Sequence, residues 1–313
     1  MIQVIYKTSS ISADITDSIE SMTWSGTLEQ SVRQLSLEYV SLPTHDLELE
    51  LGDEISLSYN SNLLFLGRLF SIDETRENGK FQLVFMDMAT VLNTVPLTLK
   101  LKSANAASAL KEMCNKLNLD IGSVAPSKNH KTITCSKKTG RWLIDKVYET
   151  DKPALYPMVY PLFYNNKLSI LETGKTKTEH KIVEGENVIS SHYSKNSDKV
   201  INQVRIVSFT GKTKKVLEDK DSMKRLGTFS HSLITDSIDY VKEGKKLLNK
   251  PLSSLSITVT GKADFISGAS TIVSDITGQV EKEFIILSDR HMFTPSGYKT
   301  ELKLMESGVT KNG

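Results

Sequence analysis

Cysteine is almost absent: Cys114 and Cys135 are the only two in 313 residues. They could pair on paper, but a secreted disulfide framework needs more, so two free thiols in a reducing cytoplasm are expected. Aromatic residues make up only 7%, with two tryptophans. That argues against a sugar-binding surface of stacked rings. No apolar run approaches the ~20 residues of a membrane-spanning helix, so no membrane association is expected. The start, Met1-Ile2-Gln3-Val4-Ile5-Tyr6-Lys7, has no basic segment ahead of a long apolar core, and no signal peptide is expected. A formal charge of +2 is small for this length. It leaves no strongly basic footprint for specific nucleic-acid binding.

Catalytic signatures are missing as well. Gly-Lys-Thr occurs at Gly174-Lys175-Thr176 and Gly211-Lys212-Thr213. A phosphate-binding loop needs another glycine five residues earlier, where Ser169 and Ile206 stand, so both read as solvated turns. His45, His130, His180, His192, His231 and His291 are scattered. None lies four residues from another and no Cys-x-x-Cys exists, so no metal site is expected. His291, beside Met292 and Phe293, reads as a hydrogen-bonded residue at a strand end. No Gly-x-Ser-x-Gly elbow occurs. Carboxylates such as Asp14, Asp17 and Glu20 read as solvated charges. Lys212, Lys214, Lys215, Lys220, Lys224 and Arg225 are interrupted by Glu218, Asp219 and Asp221, which suits a mixed-charge surface loop. Trp24 and Trp142 suit core or interface packing. No catalytic, cofactor-binding or metal residue is therefore assigned, and neither a cofactor nor an enzymatic activity is expected.

What is present is strand patterning. The composition, 39% hydrophobic and 24% charged, fits a globular protein of two or three domains. Up to about residue 93, Leu47, Leu49 and Leu51 alternate with glutamates, Ile55, Leu57 and Tyr59 with serines, and Phe81, Leu83 and Phe85 continue the period of two. Each run predicts a half-buried antiparallel strand. Gly52-Asp53 reads as a tight turn, and Asn60-Ser61-Asn62 and Glu77-Asn78-Gly79 as hairpin loops. Residues 63–72 read as a central strand with a bulge at Gly67.

The middle changes period. Ser103 is the expected cap of a helix carrying Ala106, Ala107, Leu110, Met113, Cys114 and Leu117, with Gly122 just beyond its end. A second helix is expected over residues 140–149, with Leu143, Ile144, Val147 and Tyr148 on one side. Pro153, Pro157 and Pro161 disfavour a regular helix or central strand. Asn165-Asn166 reads as a hairpin turn between Phe163-Tyr164 and residues 168–171.

Strands return near Asn187. They are expected at residues 204–209, at Leu255, Ile257 and Val259, and at 271–273, 284–287 and 301–305. Residues 210–221 read as a polar loop. Asp236 is the expected cap of a helix carrying Ile238, Val241, Leu247 and Leu248, stopped by Pro251. Residues 307–313 read as a frayed tail. The expected division is 1–94, 95–186 and 187–313, with an inserted helix at about 236–249 in the last.

An ordered set of landmarks adds a resemblance. In the first half these are Trp24-Ser25-Gly26, Arg33-Gln34-Leu35-Ser36-Leu37, Gly52-Asp53-Glu54-Ile55-Ser56-Leu57, Leu64-Phe65-Leu66-Gly67 and Asp87. In the second they are Asn202-Gln203-Val204-Arg205-Ile206-Val207, Ser222-Met223-Lys224-Arg225-Leu226-Gly227, Gly261, Gly268 before Thr271-Ile272-Val273, and residues 284–293 before Glu301-Leu302-Lys303-Leu304. Over nearly the whole chain this order resembles the baseplate hub proteins of contractile phage tails, especially those of defective prophages and phage-tail-like bacteriocins. The resemblance implies a mainly β fold with α+β insertions: two tube-like antiparallel β-barrel domains in one chain, plus a small α+β domain. It also implies a homotrimeric ring adapting a sixfold tail tube to a threefold spike. The implied partners are the tail tube protein and the spike protein, with tape-measure, wedge or LysM-type tail proteins as further candidates. The implied location is the bacterial cytoplasm during assembly and then the baseplate of the particle. Two rival readings are a tail-associated cell-wall hydrolase and a tail-tip carbohydrate- or receptor-binding module.

Overall fold

The computed structural model describes residues 2–41, 47–75, 79–127, 131–148, 157–164, 166–198, 200–249, 252–275 and 281–307. Its first strands are β1 (Ile2–Lys7), β2 (Ser12–Asp14), β3 (Ile19–Thr27), β4 (Gln34–Val40), β5 (Glu54–Tyr59), β6 (Asn62–Thr75) and β7 (Lys80–Asp87). Next come α1 (Val91–Thr94), β8 (Pro96–Ala104), α2 (Ala106–Leu117), β9 (Ile121–Val124), β10 (Lys131–Thr139), α3 (Gly140–Val147), β11 (Val159–Tyr164) and β12 (Lys167–Glu172). The remainder is β13 (Ile182–Val183), β14 (Val188–Asn196), β15 (Gln203–Val207), β16 (Thr213–Glu218), α4 (Lys220–Leu226), β17 (Ser230–Ile234), α5 (Tyr240–Leu247), β18 (Leu252–Thr260), β19 (Ser270–Ser274), β20 (Glu281–Thr294) and β21 (Gly297–Glu306).

The protein is mainly β. One sheet dominates, ordered β14-β18-β21-β20-β3-β4-β7-β6-β5-β1-β2, with β19 branching from β20 and carrying β13. The period of two explains its inner face. In β4, Leu35, Leu37 and Tyr39 are buried while their neighbours are half-exposed. Val4, Tyr6, Trp24, Ile55, Leu57, Leu83 and Phe85 complete the first core. A second core gathers Ile182, Ile257, Val259, Phe265, Ile286, Leu302 and Leu304. The two halves meet where β20 changes partner. Its residues 281–285 pair with β19, and its residues 288–293 pair with β3. A register shift against β21 falls between Ile286 and Ser288. A bulge bends and twists a strand, and the Leu287 carbonyl freed here accepts the Leu28 N–H at 2.8 Å.

The middle unit has its own core, which includes the buried face of α2: Ala106, Ala109, Leu110, Met113, Cys114 and Leu117. Burying a leucine or methionine contributes about 1.5–3 kcal/mol, so this face anchors the helix. The helix cap is Asn105, whose side chain accepts the Ser108 N–H, and not Ser103, which lies in β8. Left-handed Asn118 ends the helix (φ 53°), while Gly122 lies in β9. Pro161 is tolerated because, among the described residues, β11 is an edge strand paired with β12. Cys114 and Cys135 are both buried free thiols.

Three further expectations are corrected. Among the described residues, 47–50 join no ladder, and of them Leu47 and Leu49 lean on the core. Residues 210–221 are not a loop: β16 and the start of α4 occupy them. β16 buries only Leu217, so it carries no alternation to read. Asp236 does not cap α5, which follows Asp239; instead Asp236 pairs with Lys214 and accepts the Phe209 N–H. β15, β16 and β17 form a separate sheet under α5, around Val204, Ile206 and Leu217. Glu77, Asn78, Pro153, Asn165, Pro251 and residues 308–313 lie outside the described residues.

Gly67 is in regular register with Ile55 and Asp87; the register shifts of β6 fall near Leu64 and Phe70. Its requirement is steric, since a Cβ there would stand 2.5 Å from the Met86 carbonyl oxygen and 2.5 Å from the Phe65 ring. Gly67→Val is therefore expected to destabilise by at least about 1–3 kcal/mol in urea unfolding. An unchanged midpoint would contradict this packing.

Candidate functional site

Over β14, β18, β21 and β20 an open cleft is lined by His192, Arg290, Glu301 and Lys303, with Arg290 and Glu301 paired at 3.5 Å. Among the described residues, no three His, Cys, Asp or Glu side chains are placed to hold a metal ion. The polar groups that do converge are buried at the β3–β20 seam, and they are the sequence landmarks themselves. The pairing sets Asp289 opposite Gly26 and His291 opposite Trp24. Arg33, just before β4, reaches across to Asp289. One guanidinium nitrogen donates to Asp289 Oδ1 at 3.1 Å and the other to Oδ2. The same guanidinium lies 4.2 Å over the Trp24 ring. Gly26 is glycine because a Cβ would collide with this guanidinium. The Ser267 N–H also donates to Asp289, at 2.6 Å.

The Arg33 backbone is held as firmly. Its N–H donates to Asp87 Oδ2 at 3.0 Å, and its carbonyl accepts the Asp87 N–H at 3.1 Å. Asp87 Oδ1 accepts the Ala89 N–H. Asp87 thus ends β7, starts the next turn and fixes Arg33. Burial pushes its carboxyl up to about 7, against the pull of the two backbone donors and of Arg33. For Asp289, burial also pushes upward. Arg33 and His291 outweigh it and hold this carboxyl well below the usual carboxylate range.

His291 is fully buried in mid-strand, a correction to its expected place at a strand end. Nδ1 lies 2.7 Å from the Tyr298 hydroxyl and 3.3 Å from Thr300 Oγ1. Nε2 lies 3.2 Å from Asp289 Oδ2 but off hydrogen-bond alignment, so that attraction is non-directional. Burial holds its pKa below the ordinary imidazole value despite Asp289. The ring packs on Trp24, and Tyr298 stacks on Phe293 with ring centres 4.1 Å apart.

Other landmarks serve elsewhere. Buried Asn202 accepts the Phe229 N–H and donates to the Gly227 carbonyl, both at 2.8 Å, stapling β15 to the end of α4. Gly174 and Gly211 sit in turns with positive φ. His180 contacts Asp264 at 2.9 Å; His192 and His231 are exposed. His45 and His130 lie outside the described residues. Pairing of landmarks 256 residues apart, Arg33 with Asp289, carried no signal in a single sequence beyond their being charges within apolar strands.

The sheet ends differ. β1 is covered by β2 and by the Ile15 N–H donated to the Val4 carbonyl. β14 pairs on one side only, and exposes Ile189 and Tyr193. An uncovered edge is a template for further strand pairing.

A family described as YQBQ-like matches residues 22–305. No curated protein matches the chain. Among solved structures, the 43 kDa tail protein of prophage MuSo2 from Shewanella oneidensis is similar with a TM-score of 0.73, at 12% identity over 97% of each chain. The tail protein from Neisseria meningitidis MC58 gives 0.71, at 13% identity over 99% of this chain and 98% of that one. The E. coli c3393 protein, a component of the type VI secretion system with structural similarity to the T4 tail proteins gp27 and gp5, gives 0.54, at 7% identity over 93% and 74%. At such identities the likeness is one of fold, and the fold is that of phage tail proteins.

Removing the Asp289 carboxylate would strand a buried guanidinium. Asp289→Ala is expected to cost about 3–5 kcal/mol in urea unfolding; a loss below about 1 kcal/mol would mean the pair is not load-carrying. Asp87 supplies a pH test. Its folded pKa of about 7 lies above the unfolded value of ~3.9. Its contribution is therefore full below the unfolded value and lost as pH rises through the folded one. Asp289 has the opposite sign and loses its contribution as pH falls below the ordinary carboxylate range. Urea midpoints are expected to decline between pH ~4 and ~7, and Asp87→Asn should flatten that decline. An identical slope in the variant would contradict the assignment.

Proposed function

Because the chain belongs to the YQBQ-like family and has the fold of phage tail proteins, we propose that it is a structural baseplate hub of a contractile tail or tail-like particle. In this reading three chains close into a ring that adapts a sixfold tail tube to a threefold spike and nucleates the tube. The observation that carries it is the fusion of two antiparallel half-sheets within one chain through β3 and β20. Three chains would present six half-sheets: residues 1–94 and 187–313 each supply one wall unit, and 95–186 form an attached α+β body. A head-to-tail contact that closes into a ring uses up sheet edges and limits growth. Similarity to a type VI secretion component that itself resembles gp27 and gp5 supports the hub position.

The proposed partners are the tail tube and spike proteins, with tape-measure, wedge or LysM-type proteins as further contacts. Assembly would take place in the bacterial cytoplasm, and the ring would then reside in the particle. The role is architectural and asks no covalent chemistry of any side chain. The polar network is spent on joining the halves.

Light scattering across a concentration series, alone and with the spike protein, tests this reading. A mass near three times 34.9 kDa is expected in at least one condition. A monomer in both would overturn it.

A further inference from the structure

Charge is divided unevenly along the chain. Residues 1–94 carry 5 Lys and Arg against 14 Asp and Glu, a net charge of −9. Residues 95–313 carry 34 against 23, a net charge of +11. The small total of +2 therefore hides two poles, and complementary poles on one chain favour ordered association between copies.

Each pole also presents apolar surface. On the acidic first half, Leu51 is 68% exposed and Phe70 58%. They are neighbours, because the Gly52 N–H donates to the Leu69 carbonyl at 2.9 Å and the Leu69 N–H to the Asp53 carbonyl at 2.8 Å. Exposed Glu48 and Glu50 lead into this tip. The segment 47–50 has the alternation of a strand, yet it joins no ladder among the described residues.

On the second half, the β15–β16–β17 sheet has one face under α5. The register puts Arg205, Val216 and Ser232 side by side on the other face, with Val207 beside Ile234. Val216 and Ile234 are exposed there, at 39% and 61%. Phe209, 75% exposed, follows β15; exposed Arg205 lies on this same face and exposed Lys212 on the adjoining turn. Residues 200–249 carry ten Lys and Arg against six Asp and Glu. An apolar patch within a basic rim suits an acidic partner with an apolar tip.

We infer that the Glu48–Glu50–Leu51–Phe70 tip of one copy docks on the Phe209–Val216–Ile234 face of a second copy of this chain. The inference rests on the hub reading and names the contact that builds its ring. Each copy holds one tip and one face. The two are different surfaces, so the contact is head-to-tail and propagates around a ring instead of stopping at a symmetric dimer.

The test is charge reversal on the full chain, read by light scattering with the spike protein present if wild type needs it. E48K/E50K and R205E/K212E, each folded by circular dichroism melting, are expected to lower the mass from three chains to one. All four substitutions in one chain restore opposite poles and should return the three-chain mass. Should either reversal melt below wild type, E48Q/E50Q and R205Q/K212Q replace it and should weaken the trimer in the same direction. A trimer unaffected by both reversals would overturn this contact and leave the ring standing. Loss in each pair without rescue by the combination would overturn the complementarity. A wild type that stays monomeric with and without the spike protein would overturn the ring and the contact together.

Discussion

The architecture depends on one buried ion pair. Arg33 and Asp289 lie at opposite ends of the chain, and their pairing sits on the β3–β20 ladder that makes two half-sheets one sheet. Burying either charge alone would cost several kcal/mol. Each is made tolerable by further hydrogen bonds: Asp289 accepts the Ser267 N–H, and the Arg33 backbone is clasped by Asp87. Trp24 covers the guanidinium and supports His291. A wrong register between β3 and β20 would separate charge from charge and place Gly26 where no guanidinium needs room. The network thereby favours a single register through its charge pairing, although Arg33 Nε, Trp24 Nε1 and His291 Nε2 make no hydrogen bond.

The same seam explains why β20 is long. Its first residues close the second half against β19, and its last residues reach the first half through β3. The Leu287 bulge permits the change of partner. Leu28, Tyr160 and Ile285 form a small core beside that point, bringing the middle unit against it. Gly268 has positive φ and lies under the Tyr160 ring, so a side chain there is barred twice. The proposed ring would call on this seam, because closure after a fixed number of copies requires a fixed angle between its two halves.

Much of the fold was legible in sequence wherever one face of an element is buried. β4, β5, β7 and β18 alternate because their inner residues meet a core, and α2 shows helical spacing for the same reason. Legibility failed where burial is slight or the cause is distant. β16 is polar on both faces except at Leu217, so it read as a loop. Residues 47–51 alternate without a ladder, so they read as a strand. Gly67 read as a bulge, although what it avoids is the Met86 carbonyl on the next strand. Trp24, Gly26, Arg33, Asp87 and His291 all stand among the sequence landmarks, but their convergence is a long-range fact. His291 is the clearest case: its neighbours in sequence are Arg290 and Met292, while its partners Trp24 and Tyr298 come from other strands.

The polarity of the chain joins these observations to assembly. An acidic first half and a basic remainder, joined at the β3–β20 seam, would give each molecule of the proposed ring a head and a tail. Imaging the assembled full chain by electron microscopy tests this account most directly. The expected class averages are threefold rings whose wall shows six similar lobes, two from each chain. A wall of three lobes, or a twofold particle, would contradict it.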